Sequence, residues 1–174
     1  MTMSPGVRRF ALTGHVTTSV GWLGAVGGFL VLAVSGLTNH DPQTVRGAYQ
    51  AMELLGWCLI VPLSLASLLS GVIQALGTPW GLLRHYWVLI KLLITPVATL
   101  VLLVHMQPIH HVAQLARDTL MSQADLSEMR AQIVVDAAAG ALVLLVTTAL
   151  SVYKPRGLTR YGRRRSLRET AAAS

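Results

Sequence analysis

Four predominantly apolar runs, each about 20 residues or longer, govern what this chain can become. They extend from about Val16 to Thr38, Leu54 to Gln74, Leu82 to Met106 and Ile133 to Tyr153. About 20 mostly apolar residues in a helix cross the hydrocarbon core of a bilayer. Inside that core every backbone polar group has to be satisfied within the segment, and a helix does this. Hydrophobic residues make up 53% of the 174 and charged residues only 12%, about half the usual share in a soluble domain. The expected fold is therefore all-α, a polytopic transmembrane four-helix bundle. Short connections make successive helices antiparallel neighbours in an up-down arrangement. The expected organisation is an N-terminal segment over residues 1–15, a four-helix membrane domain over 16–153, and a basic tail without fixed structure over 154–174.

Arg8 and Arg9 precede the first run, as in a signal peptide. The run exceeds the roughly 7–15 residues of a signal h-region, so it is read as a retained span. Seven of the 14 basic residues fall between Lys154 and Arg168, beyond the last run. With Arg8, Arg9 and Arg84 they would occupy one side, against Arg46, Arg117 and Arg130 on the other. The positive-inside rule then places both termini in the cytoplasm. The formal net charge of +7 reads as attraction to anionic lipid rather than to nucleic acid. Cys58 is the only cysteine, which excludes an intrachain disulfide, thiolate clusters and covalent c-type haem attachment. Phosphate loops, dinucleotide fingerprints, nucleophile elbows and HExxH motifs are absent from the sequence.

Punctuation inside and between the runs predicts local structure. Asp41-Pro42 reads as an N-cap followed by proline at the first helical position. Asp125-x-x-Glu128 reads as a capping box that starts the fourth helix near Leu126. The stretch from about His110 to Met121 is expected to form a short interfacial helix. Pro62 and Pro96 lie inside spans two and three and are expected to bend them.

Helical spacing at 100° per residue sorts the faces. His15, Ser19, Trp22, Val26, Phe29 and Ala33 share one stripe of the first span, with Gly21, Gly24 and Gly28 roughly opposite. The glycine face allows close backbone approach, either within the bundle or in a homodimer or with another membrane partner. Ser64, Ser67, Gly71 and Gln74 form a small polar stripe on the second span, suited to interhelical hydrogen bonds. Lys91 lies several residues inside the third span. An intramembrane lysine is either a functional residue or a long stem reaching back to the interface.

The histidines are the candidate cofactor ligands. His15 and His85 lie near one end of helices one and three, and His40 and His105 near the other end. Two imidazoles from facing helices at one depth are the geometry of b-type haem ligation in a bundle. His85 is turned about 160° from His105 around the helix, which favours one haem over two. His15 with His85, and Lys91 close by, form the first candidate site; His105 is the ligand if the site lies at the opposite end. His110 and His111, with Asp136, are weaker metal candidates, because adjacent histidines diverge and metal sites need convergent ligands. Met106 beside these histidines leaves copper handling as a further reading.

The runs HVTTSVGWLGAVGGFL, WGLLRHYWVLIKLL and VLLVH resemble a family of small four-span bacterial membrane proteins. A more distant similarity reaches haem-linked bundles. The His15 to Trp22 spacing and the Lys91 to His105 order are similar to HemJ-type protoporphyrinogen oxidases, and Lys91-Leu92 resembles copper-resistance-D-like membrane proteins. The resemblance implies His15 as a haem ligand, Lys91 as a haem-site or substrate-site residue, and haem b as the cofactor of an electron-transfer or tetrapyrrole redox function. The alternative is a cofactor-free membrane subunit or interaction protein.

Overall fold

The computed structural model describes residues 3–77, 85–115, 123–153, 157–160, 162–164 and 171; the side chains of 105–115 and 123–126 lie outside that description. It is all-α. Helix α1 spans Pro5–Thr38 and α2 spans Pro42–Leu55. A π-helical turn over Gly56–Ile60 joins α2 to α3, Val61–Gly77. Helix α4 covers Tyr86–Leu115 and α5 covers Gln123–Tyr153. Among the described residues, four helical rods are long and apolar enough to cross a membrane: α1, the continuous Pro42–Gly77 unit, Tyr86–Val104 and Ser127–Tyr153. Their flanks carry large exposed apolar side chains, such as Val31, Leu69, Leu100 and Leu142. In a bilayer these meet acyl chains, so their exposure carries no hydrophobic penalty.

Local chemistry explains the element boundaries. Asp41 caps α2: its carboxylate accepts the Thr44 backbone N–H at 2.9 Å and the Thr44 hydroxyl at 2.6 Å, and Pro42 opens the helix. These hydrogen bonds hold the Asp41 carboxyl below the usual carboxylate range, the Thr44 hydroxyl acting most and its amide next. At the other interruption, proline lacks an N–H and its ring clashes with the carbonyl four residues back. Here the helix widens just before Pro62, where the Val61 N–H reaches the Gly56 carbonyl five residues back. A π turn relieves the clash without breaking the rod.

Helix α1 packs on α3, α5 and α2, while α4 packs on α5, α2 and α3. The core is built from the expected stripe of α1, where Trp22, Val26, Phe29 and Ala33 are buried against Tyr49, Met52, Ile60, Ile133, Ala137 and Leu144. Gly36 admits a close approach in the core: a Cβ there would lie 2.9 Å from the Tyr49 ring. The ring, fully buried, fills the notch that Gly36 leaves. The guanidinium of Arg130 lies 5.7 Å from the centre of the same ring, a cation–π distance.

Three expectations change. The stretch beginning at His110 is no separate helix, because α4 runs unbroken to Leu115; its continuation through 116–122 lies outside the described residues. Helix α5 already includes Gln123, so it starts ahead of the expected Leu126; the expected capping contact of Asp125 falls on side chains outside the described residues. The beginning of the basic tail is folded: Leu158 bridges His85, the Gly157 carbonyl accepts the Tyr86 N–H at 3.3 Å, and the Thr159 hydroxyl accepts the Gly162 N–H at 3.0 Å. The unsatisfied first N–H of α4 explains this docking, since a helix start needs an acceptor from outside the helix.

Candidate functional site

Polar side chains in the apolar bundle gather toward the end where α1 and α4 begin and α3 and α5 finish. His15 of α1 faces α3, with its Nδ1 3.0 Å from the Ser70 hydroxyl. Ser70 donates its only proton to the helix, 2.6 Å from the Ala66 carbonyl and 3.1 Å from that of Ser67. Its oxygen therefore accepts from His15, which places the neutral imidazole's proton on Nδ1. The ring is half-buried and sits against Gly71, where a Cβ would come within 3.2 Å of its Cε1. One turn further along α1, the Ser19 and Ser67 hydroxyls meet at 2.7 Å. The expected polar stripe of the second span thus works as an interhelical seam, with Ser64 fully buried and bonded to the Val61 carbonyl at 2.8 Å.

Lys91 occupies the opposite pair of helices. Its ammonium donates sideways to the Ser151 hydroxyl of α5, which in turn donates to the Thr147 carbonyl at 2.8 Å. With their serine partners, His15 on the α3 side and Lys91 on the α5 side form the polar layer at this end of the bundle. His85 lies at the start of α4, its backbone bridged to Leu158 and its ring 6.5 Å from that of Trp87.

The other candidates lie elsewhere. Trp22 is buried in the core and its indole N–H finds no hydrogen-bond partner. Asp136 of α5 is half-buried and accepts the Gln132 amide N–H at 3.0 Å. The side chains of His105, Met106, His110 and His111 lie outside the described residues. Among the described residues no group of three or more His, Cys, Asp or Glu converges as a metal site. Of the glycines, a Cβ added at Gly21 would lie an ordinary 3.4 Å from Leu63, and one at Gly28 3.9 Å from Leu55. A Cβ at Gly24 would meet nothing within 4 Å, whereas at Gly36 and Gly71 it would press on the Tyr49 and His15 rings.

Sequence reasoning missed Ser151 and Ser70 as partners of the two ionisable residues. A signal existed for Ser151, because Thr147 and Ser151 stand one turn apart on one face of the fourth span. Compared with known proteins, the chain matches no protein-family description, no curated protein and no solved structure, so its site is read from its own geometry.

Proposed function

We propose that the chain is a multi-pass protein of a bacterial cytoplasmic membrane that carries one b-type haem on His15, for electron transfer or a redox reaction of a tetrapyrrole. The observation that carries this reading is the Ser70–His15 hydrogen bond. A metal-bound imidazole holds its second ring nitrogen on a hydrogen-bond acceptor, which fixes tautomer and orientation and raises ligand basicity. With Ser70 as the acceptor at Nδ1, the Nε2 lone pair of His15 would be left to hold the haem iron, with His85 the second candidate ligand. Lys91, in the same polar layer, would pair with a carboxylate at the macrocycle edge. The haem supplies the electron chemistry, while the chain supplies ligation, orientation and a dry surrounding.

Both termini are assigned to the cytoplasm by the excess of Lys and Arg on their side, and the basic tail then lies against anionic lipid. The test is an optical spectrum of protein purified from haem-supplied cells, oxidised and then reduced with dithionite. A Soret band with sharp reduced α and β bands, lost in His15→Ala and shifted in Ser70→Ala, is the expected result. A featureless spectrum at good protein yield overturns the haem reading.

One observation favours a second reading, a cofactor-free subunit that packs on another copy or another membrane protein. Gly24 and Gly28 lie exposed on α1, on a face that would admit a second helix backbone. Loss of crosslinked dimer in Gly24→Leu, with His15→Ala unchanged in every property, would select it.

A further inference from the structure

A cavity of about 880 Å³ lies between α4 and α5, backed by α1 and Ile60. Its volume falls in the range of about 300–1,000 Å³ typical of small-molecule sites. His15, His85 and Lys91 do not line it, so it is separate from the polar layer above. Leu93, Val97 and Val101 form its α4 wall and are 62%, 59% and 48% exposed. The cavity is therefore open sideways, in the direction where lipid surrounds the bundle.

Two features give this apolar space a chemical preference. Glu128, Gln132 and Asp136 line it along successive turns of α5, grouping two carboxylates and an amide at one end. The neighbouring cation on α5, Arg130, is engaged with the Tyr49 ring and does not line the cavity. At the other end, Trp22 lines the cavity, 4% exposed, with an indole N–H that has no acceptor. A buried donor left without a partner is unfavourable, and a ligand that carries an acceptor would remove that cost. From Glu128 to Leu144 the lined length of α5 is about 24 Å at 1.5 Å per residue, the scale of an acyl chain. A deep apolar groove, an acidic end and an orphan donor together describe an amphiphile.

We propose that this cavity binds a membrane-dissolved acyl amphiphile with a cationic headgroup and a carbonyl in its body. The chain lies along α4 and α5, the cation sits with Glu128 and Asp136, and the carbonyl accepts the Trp22 N–H. The ligand arrives through the bilayer by the opening between α4 and α5.

The experiment uses full-length protein in phosphatidylcholine nanodiscs, with empty nanodiscs subtracted. Radiolabelled methyl 12-(trimethylammonio)dodecanoate, which carries its cation and its ester carbonyl at opposite ends, is titrated beside dodecyltrimethylammonium, methyl dodecanoate and dodecanoate. Saturable binding of the cationic ester is expected, with the neutral ester and the anionic acid at least about tenfold weaker, the scale of one charge-assisted contact. Glu128→Gln with Asp136→Asn should level the preference for the cation. Trp22→Phe should erase the advantage of the cationic ester over dodecyltrimethylammonium. A Cβ at Gly140, on the cavity wall, meets nothing within 4 Å, so the side chain of Gly140→Leu enters open space and should abolish saturable binding, with circular dichroism checking that the variant keeps its helices. Equal binding of all probes by the native protein, absence of saturable binding, or full binding by Gly140→Leu each overturns the proposal. The haem spectrum is recorded in parallel and stands or falls independently.

Discussion

Replacing Gly36 with alanine tests how tightly the bundle is packed where α1 meets α2. The new methyl would lie 2.9 Å from Tyr49 Cε2 and 3.0 Å from Cζ, whereas ordinary contact begins near 3.4 Å. The ring has to retreat by the difference, 0.5 Å. Tyr49 is fully buried, so the retreat is passed to its neighbours, Met52 and the Arg130 guanidinium among them. Overpacking of this kind costs about 1–3 kcal/mol. Alanine also gains up to about 1 kcal/mol over glycine in a helix, which masks part of the cost. Gly27→Ala isolates the steric part, since it lies in the same helix with nothing within 4 Å of its added methyl. Unfolding in mixed micelles, followed by far-ultraviolet circular dichroism, should place Gly36→Ala about 1–3 kcal/mol below Gly27→Ala. In a Tyr49→Leu background that difference should shrink, because the double-mutant cycle removes the clashing ring. Equal stability of Gly36→Ala and Gly27→Ala would refute the packing argument.

Four further outcomes follow from the hydrogen bonds. Ser151→Ala should destabilise the bundle more than Lys91→Met does, because the first leaves a charged donor without its partner and the second removes the charge; unfolding midpoints of the two variants decide this. Ser19→Ala should cost about 0.6 kcal/mol, the usual size of an interhelical hydrogen bond in a membrane, and adding Ser67→Ala should cost little more. Gly71→Ala should push the His15 ring away from α3 and shift its imidazole NMR resonances, whereas Gly140→Ala should leave them in place. The Asp41 cap should hold the start of α2 at neutral pH and release it on acidification. Its folded-state value is depressed, so the cap's contribution is fully present above the unfolded carboxyl value and is lost as pH falls through the folded one. Amide exchange at Thr44 should therefore accelerate at low pH, and Asp41→Asn should flatten that dependence.

Sequence alone determined the architecture of this chain. Apolar runs of bilayer length leave helices as the economical solution, and 100° periodicity identified the buried stripe Trp22, Val26, Phe29 and Ala33 before any coordinates. The Asp41-Pro42 start of α2 was legible for the same local reason, since capping depends on residues within one turn. Boundaries set by longer-range effects were not legible. Helix α4 continues past Met106 into a polar stretch, and the start of the basic tail docks on the first turn of α4, because backbone acceptors come from a distant segment. The partners of His15 and Lys91 stand 55 and 60 residues away in the chain. Periodicity reports which face of a helix a residue occupies, but the neighbour on that face depends on how the helices are rotated and shifted against one another. Only packing decides that, and it also decided that Gly36 rather than Gly24 meets a ring, and that α4 and α5 part to leave a cavity beside Trp22.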